Sequence, residues 1–439
     1  MLKHIIGTFG TRIACVLISF IILMINSHSF HAEGLGMISL FVLDVSILHI
    51  LSFVFGSGSV LYSFVQFDKF QVLIWSYLST IVVEIVGSLV LCYFNLGGST
   101  DWLFYLLLAS VSMSVYYLNT QVFLARDKIF YYNLFQILPS IFLLLLLLLF
   151  VFGLQQNNCY AYIRAYTICY GLFMLVTFYP AVKGIHYAGF KGFKKVCWQM
   201  IKYGFMIQVA NLAQMLNYRL CFYFGNYCTG TRGVGILSVG TKVSESVWIL
   251  PNSLAPIQYA KIANHKDDKD YAINITLSFA KLTMLVSCCL IIILLFLPSV
   301  CFAWLFGEEF YQIQPLLYVF APGILFLAFN LMIAHYFSGL GKYYVNTLCS
   351  LLGLVVTGVV GACCIPFMKT LPDVYAITIL AAINSVSYMV SCIASLVFFF
   401  KDTHISWQQL LVTRQDIRLA MCEIQNLWTS LKNNVKVKQ

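Results

Sequence analysis

Twelve mostly apolar stretches follow one another along this chain, each about as long as the 20 residues that an α-helix needs to cross a bilayer. Short charged, Gly-rich or Asn-rich segments separate them. Since 61% of the residues are hydrophobic and only 10% are charged, little chain remains for a large water-exposed domain. The pattern predicts an all-α polytopic membrane protein with about twelve transmembrane helices.

The predicted spans divide into two sets of six, joined by a basic segment. They cover residues 5–27, 35–60, 72–95, 102–125, 132–153 and 161–180, then 200–225, 235–258, 272–299, 317–338, 344–366 and 375–400. The predicted domains are an N-terminal six-helix bundle (1–180), a basic cytoplasmic linker (181–199), a C-terminal six-helix bundle (200–400) and a cytoplasmic tail (401–439).

Basic residues in the connections and at the ends of the spans are distributed unevenly: nineteen, with Lys202 at a span end, fall on the side of the N-terminus, and three, with Arg164 at a span end, fall on the opposite side. Because Lys and Arg are retained in the cytoplasm, this bias predicts that both termini are cytoplasmic. The net charge of +10 mostly reflects the same bias, so it does not indicate a nucleic-acid partner. Apolar residues at helical spacing within 405–431 predict an amphipathic helix, which would lie on the inner membrane surface or contact a partner protein.

Motifs for several enzyme classes are missing from the sequence. The nearest match to a phosphate-binding GxxxxGK[ST] loop has Tyr336 at the first glycine and Tyr343 at the hydroxyl position. The fifteen cysteines form no CxxC pair and no Cys/His ligand spacing, and no cleavable signal peptide is evident before the first span. The sequence therefore predicts a protein that is not an enzyme and needs no metal or cofactor.

Four cationic side chains lie well inside the predicted spans: Arg12, Arg219, Lys242 and Lys281. A charge at the bilayer centre costs roughly 2.5 to 3.5 kcal/mol on insertion scales, so it is kept where it is paired, snorkels or faces a watery path. A path lined with cations indicates an anionic cargo. The alternatives are that Arg12 reaches lipid headgroups, that Lys242 pairs with Glu245 three residues on, and that Lys281 is structural.

Depth estimates sort these cations into two pairs. At about 1.5 Å per residue, Arg219 and Lys242 lie about 9 and 10 Å from the outer ends of their spans. Arg12 and Lys281 lie about 10 and 13 Å from the cytoplasmic ends of theirs. The sequence predicts an outer and an inner cationic pair along one cleft.

Three acidic residues also lie within spans, so the predicted path has mixed charge. They are Asp44, Glu84 and Glu245. Glu84 and Asp44 are candidates for coupling transport to H⁺ or Na⁺, and the alternative for Glu84 is a structural role as the partner of a cation.

A short internal repeat relates the two sets of spans. Gly34-Leu35-Gly36-Met37-Ile38-Ser39 and Gly233-Val234-Gly235-Ile236-Leu237-Ser238 both read G-x-G-h-h-S, where h is apolar, and each opens the second span of its set. The period is 199 residues, an even number of spans, so the two halves are predicted to share one orientation. The glycines also suit tight turns and close helix packing.

Several of these strings resemble Wzx-type polysaccharide flippases of the multidrug/oligosaccharidyl-lipid/polysaccharide (MOP) exporter superfamily. The resemblance to helices seven and eight of that family rests on Asn217-Tyr218-Arg219-Leu220, on Gly233 to Val239 and on Trp248-Ile249-Leu250-Pro251-Asn252-Ser253-Leu254. The resemblance to its first hairpin rests on Phe9-Gly10-Thr11-Arg12, Ala32-Glu33-Gly34-Leu35-Gly36 and Gly56-Ser57-Gly58-Ser59.

The resemblance implies a V-shaped, MATE-like fold of two six-helix bundles. It also implies transport of an undecaprenyl-pyrophosphate-linked oligosaccharide from the inner to the outer leaflet of the bacterial cytoplasmic membrane. Members often carry Asp two residues after the span-seven arginine, where this chain has Cys221. Arg219 is then either more available to an anion or paired with another acid.

The predicted function is therefore a flippase for an O-antigen, capsular or exopolysaccharide unit, with a lipid-linked anionic glycan, membrane lipids and polysaccharide assembly enzymes as partners. An ion-coupled, MATE-like exporter of small molecules is the alternative, and a net-negative cleft around Glu84 and Asp44 would favour it. A membrane glycan polymerase is a third possibility, which the short outer connections disfavour.

Overall fold

The secondary structure of the described chain is helical. The computed structural model describes residues 2–410, apart from residues 56, 96, 97, 99, 188, 266 and 267, and within it the side chains of residues 2–9, 12, 57, 206, 207 and 250 are not described. The α-helices are α1 (Leu2–Val54), α2 (Val60–Gln66), α3 (Lys69–Tyr93), α4 (Leu103–Ala125), α5 (Ile129–Leu148), α6 (Tyr160–Val182), α7 (Phe193–Glu245), α8 (Ile249–Asn264), α9 (Lys269–Phe296), α10 (Ser299–Phe306), α11 (Ile313–Gly339), α12 (Tyr343–Met368) and α13 (Asp373–Thr403).

Each predicted span lies on these helices. The first two spans together form α1, the seventh forms the first part of α7, and the eighth runs from the end of α7 into α8. Across the described ranges, nine helices are long and apolar enough to cross a membrane, and α7 is not among them. The predicted tail helix at 405–431 falls mostly outside the described residues, which end in a single 3₁₀ turn at Trp407–Leu410.

Polar side chains fix where some helices begin. Asp68 precedes α3, and its carboxylate accepts hydrogen bonds from the amides of Phe70 (2.9 Å) and Gln71 (3.2 Å). Asp268 caps α9 in the same way through the amide of Tyr271 (2.9 Å). An N-cap carboxylate satisfies amides that have no partner within the helix, so these residues place the ends of both spans.

Matching kinks bend α1 and α7. The backbone leaves the helical conformation at His31 (φ 58°, ψ −173°) and at Gly230 (φ 68°, ψ −172°), two residues that are 199 positions apart. Each kink lies three residues before its G-x-G-h-h-S motif, so the backbone repeats with the period of the sequence. This agreement supports the predicted internal repeat.

Glycines let the two halves meet just beyond these kinks. A Cβ on Gly36 would overlap the backbone carbonyl of Thr231, and a Cβ on Gly235 would overlap the backbone carbonyl of Ala32. The helical segments therefore approach backbone to backbone, which only glycine permits.

Helices α1 to α6 pack together in one half, and α7 to α13 in the other. The main contact between the halves is that of α1 with α7. The outward faces are apolar: on α3, Leu78, Val82, Ile85 and Leu89 are each 41 to 52% exposed. A continuous exposed apolar face of this kind is favourable in lipid and unfavourable in water, so the surface agrees with a multi-pass membrane protein.

Candidate substrate cavity

A cavity of about 840 Å³ lies between the two halves. Its wall combines α1, α5 and α6 of the first half with α7, α8 and their connection in the second half. The volume falls within the range of about 300 to 1,000 Å³ that is typical of sites for small ligands. Thr11, Tyr132 and Ser253 belong to the lining and lie towards the helix ends opposite the kinks, so the cavity extends towards the side of the N-terminus.

The kink end of the cavity is closed by contacts between the halves. The amide of Ala32 donates a hydrogen bond to Oε2 of Glu309 (2.8 Å), and Arg232 lies 3.4 Å from the other oxygen of that carboxylate. Nε2 of His28 lies 3.1 Å from the carbonyl oxygen of Leu305. Together with the glycine contacts, these bonds seal the end that the charge bias assigns to the outside.

Arg219 and Glu245 form an ion pair in the wall of this cavity. Nη2 of Arg219 lies 2.7 Å from Oε2 of Glu245, and the two side chains are 19% and 13% exposed. Over the described residues, Nη1 of Arg219 and Oε1 of Glu245 have no hydrogen-bond partner. Another acid thus takes the place of the aspartate that the family pattern puts at Cys221. The pair still keeps an unused donor and an unused acceptor.

Lys242 also lines the cavity and is exposed there. It makes no hydrogen bond or ion pair with any residue in the described ranges, because Glu245 binds Arg219 instead. Both Arg219 and Lys242 lie about 17 Å from the kink at Gly230, counted along their helices at 1.5 Å per residue. The structure therefore brings the predicted outer pair of cations together at one level.

Of the predicted inner pair, the structure describes the side chain of Lys281 only. Lys281 is half-buried on α9 and does not belong to the lining of the cavity. The side chain of Arg12 lies outside the described residues, although its neighbours Thr11 and Ile13 line the cavity. Of the four predicted cleft cations, the described structure shows two in the wall.

Neither candidate for ion coupling faces the cavity. Asp44 is fully buried and accepts a hydrogen bond from Tyr223 (2.5 Å), which joins the second part of α1 to α7. Glu84 is fully buried within the first half. Its Oε1 accepts from Ser114 (2.5 Å), and Nδ1 of His49 lies 3.0 Å from the same hydroxyl oxygen. Neither acid is paired with a cation among the described side chains.

The sequence analysis did not single out the uncharged polar residues of α5 and α6 that line the cavity. Tyr162, Tyr166 and Tyr170 are spaced four residues apart on α6, and all three line the cavity. On α5, Asn133, Gln136 and Ser140 are three and then four residues apart, which is also the spacing of one helix face. This periodicity of polar and aromatic residues within otherwise apolar spans was the available signal.

Similarity to known proteins is found at the level of structure. No protein-family model matches the chain, and no curated protein matches its sequence. A multidrug resistance MATE family transporter of the MOP superfamily, in an inward-facing conformation, superposes with a TM-score of 0.72 at 11% identity, covering 89% of this chain and 94% of that one. An outward-facing structure of such a transporter gives 0.60 at 11% identity, covering 92% and 97%.

The lipid II flippase MurJ, in an inward closed conformation, gives a TM-score of 0.66 at 13% identity, covering 91% of this chain and 87% of that chain. At these identities the likeness shows the fold. The predicted all-helical, MATE-like fold is confirmed, with multidrug transporters and a lipid flippase among the proteins that share it.

Proposed function

We propose that this protein is a flippase that moves an undecaprenyl-pyrophosphate-linked oligosaccharide, the repeat unit of an O-antigen, capsule or exopolysaccharide, from the inner to the outer leaflet of the bacterial cytoplasmic membrane. Transport would proceed by alternating access of the central cavity, with both termini in the cytoplasm. The single observation that carries this proposal is Lys242, which lies exposed in the cavity wall near Arg219 and makes no hydrogen bond or ion pair within the described structure.

The charges of the cavity favour an anionic ligand. Its described lining contains two cations, Arg219 and Lys242, and one acid, Glu245, which is already paired with Arg219. Lys242 is thus left to neutralise an incoming group. A phosphate oxygen would satisfy both its ammonium and the unused Nη1 of Arg219 after a small rearrangement of the pair.

The exporter alternative depends on an acidic cleft, and the described cavity does not have one. Asp44 and Glu84 are buried away from the lining and make hydrogen bonds to hydroxyl groups. The shared fold is compatible with either kind of transporter. The cavity charges and the resemblance of the motifs around Arg219 and Gly233 favour the flippase.

The proposal is tested by deleting the gene and complementing it. We expect the deletion strain to lose surface glycan and to accumulate lipid-linked glycan in the cytoplasmic leaflet. Wild-type protein and the Lys242→Arg variant should restore the surface glycan, whereas Lys242→Gln should restore it at least about tenfold less efficiently, at equal amounts of inserted protein. Normal surface glycan in the deletion strain would overturn the flippase, and a simultaneous gain in sensitivity to cationic drugs would favour the exporter.

A further inference from the structure

The two walls of the cavity differ in charge. The described charged residues of the lining, Arg219, Lys242 and Glu245, all lie on α7. The opposite wall, formed by the first part of α1 with α5 and α6, has no charged side chain among its described residues. Its polar groups are amides and hydroxyls instead: Ser19, Asn26, Tyr132, Asn133, Gln136, Ser140 and Tyr170. One wall suits an anion, and the other suits an uncharged polar group.

The uncharged wall holds hydrogen-bonding groups that the described protein does not use. The side-chain amide of Gln136 is half-buried and has no hydrogen-bond partner among the described residues. Asn26 is 3% exposed, and its Oδ1 likewise has no partner there. Leaving a buried group such as Oδ1 of Asn26 unpaired costs about 1 to 3 kcal/mol. The half-buried amide of Gln136 is available to a ligand in the cavity.

Aromatic rings of α6 lie in the same wall. The rings of Tyr162 and Tyr166 lie 5.9 Å apart between centroids, and those of Tyr166 and Tyr170 lie 4.6 Å apart. The hydroxyl of Tyr166 is already used, because it donates to the sulfur of Met113 (2.9 Å). Tyr170, which is half-buried and packs on Tyr166, and the amide of Gln136 line the same cavity. An aromatic ring together with an amide that donates and accepts matches a sugar, which has apolar C–H faces and hydroxyls around its edge.

Depth places this wall next to the cations. The helical run that begins with α5 ends at Gly153. Counted at 1.5 Å per residue, Gln136 lies about 25 Å before that end. Arg219 and Lys242 lie about 17 Å from the corresponding kink end. Gln136 is therefore about 8 Å nearer the open end, so a sugar joined to an anion held by the cations would face α5.

We infer that the wall of α5 and α6 is the subsite for the first uncharged sugar of the transported glycan, and that Gln136 is its principal hydrogen-bonding residue. This inference rests on the proposed function. It assigns different roles to the two walls of the cavity. The α7 wall binds the pyrophosphate of any lipid-linked sugar, and the α5 and α6 wall selects the sugar.

The test compares lipid probes with and without a sugar on the full-length protein in nanodiscs. The probes are undecaprenyl pyrophosphate and its N-acetylglucosaminyl and galactosyl derivatives, and the measured quantity is the Kd of each. We expect the wild-type protein to bind at least one glycosylated probe about tenfold more tightly than undecaprenyl pyrophosphate. Gln136→Leu should abolish that ratio and leave the affinity for undecaprenyl pyrophosphate within about twofold.

Matched variants separate the two walls. Gln136→Met provides a second substitution of similar shape, and the thermal midpoint of each variant reports whether it is folded. Gln156→Leu makes the same chemical change outside the cavity and should keep the wild-type ratio. Lys242→Gln should weaken the binding of every probe about equally.

The two ideas fail in different ways. A ratio that survives in both Gln136 variants, or a wild-type ratio near one for both sugars, would overturn the sugar subsite and leave the flippase intact. Failure of the wild-type protein to bind undecaprenyl pyrophosphate, or binding that Lys242→Gln does not weaken, would overturn the proposed function itself.

Discussion

Arg219 is paired with Glu245, an acid that only the tertiary structure brings next to it. Cys221, which stands where the family pattern has aspartate, is fully buried, and Glu245 reaches Arg219 from the segment after the kink, 26 residues further along. The guanidinium uses Nη2 for this pair, while Nη1 has no partner in the described structure. Nη1 can therefore bind a ligand anion while Nη2 stays paired with Glu245.

A double-mutant cycle distinguishes a ligand-binding arginine from a structural one. Arg219→Gln should lower transport at least about tenfold, which corresponds to about 1.4 kcal/mol. Glu245→Gln should lower the thermal midpoint, because it leaves Arg219 half-buried without its partner. The double variant should recover stability but not transport, as measured by glycan export and by melting in detergent. Recovery of both would show that Arg219 serves only to neutralise Glu245.

Glu84 is the residue at which a structural role can be distinguished from ion coupling. Its hydrogen bond from Ser114, in a fully buried site, supports a structural role. Glu84→Gln should keep transport within about threefold of wild type, because an amide oxygen still accepts that bond. Glu84→Leu should lower stability by about 1 to 3 kcal/mol, since it removes the carboxylate that accepts the hydrogen of the buried Ser114 hydroxyl. A loss of transport in Glu84→Gln at an unchanged thermal midpoint would instead assign H⁺ or Na⁺ coupling to this carboxylate.

At the scale of elements, the kinks of α1 and α7 have the same backbone conformation but different residues. A positive φ combined with an extended ψ is nearly restricted to glycine, and it costs other residues about 1 to 3 kcal/mol. The second half has Gly230 at this position, and the first half has His31, whose side chain is exposed. The first kink is therefore the strained one.

Exchanging glycine at the two kinks should have opposite effects on stability. His31→Gly should stabilise the protein by about 1 kcal/mol, because the strain relieved exceeds the added entropy of the unfolded chain. Gly230→Ala should destabilise it by about 1 to 3 kcal/mol through the backbone alone, since a Cβ there would contact no other atom. Thermal midpoints in detergent report both changes. A lower midpoint for His31→Gly would mean that the histidine side chain stabilises the kink.

At the scale of the whole molecule, Glu309 links the two halves at the closed end. The kink at His31 interrupts the helical ladder, and the amide of Ala32 donates to this carboxylate, which also lies near Arg232. A carboxylate placed at the start of a helical segment stabilises it, and here the carboxylate comes from the other half of the molecule. Opening towards the kink side must break this bond.

Removing the Glu309 side chain should loosen that end. Glu309→Ala is expected to speed amide hydrogen exchange at residues 28–39 and 230–238 by about tenfold. Glu308→Ala is the control, because Glu308 is exposed in the same connection and makes no bond to the described residues. Exchange rates that respond equally to both variants would show that Glu309 does not hold the closed end.

The order and the approximate bounds of the spans could be predicted from the sequence, because the apolar length needed to cross a bilayer is encoded locally. The sequence also identified Arg219 and Lys242 as cavity cations, since a charge within an apolar span needs a polar environment. Spacing along a helix gives depth, but it does not tell which neighbour a helix face meets.

Only the tertiary structure decided the partners of these charges, because they depend on how each helix is rotated and on what packs against it. That is why three candidates for the transport path, Lys281, Asp44 and Glu84, lie outside the described cavity wall, and Glu84 has the buried position of a structural residue, the alternative given for it. It is also why Glu245 binds Arg219 rather than Lys242, its neighbour on the same helix face. The contrast in charge between the described side chains of the two walls likewise arises only when α5 and α6 are placed opposite α7.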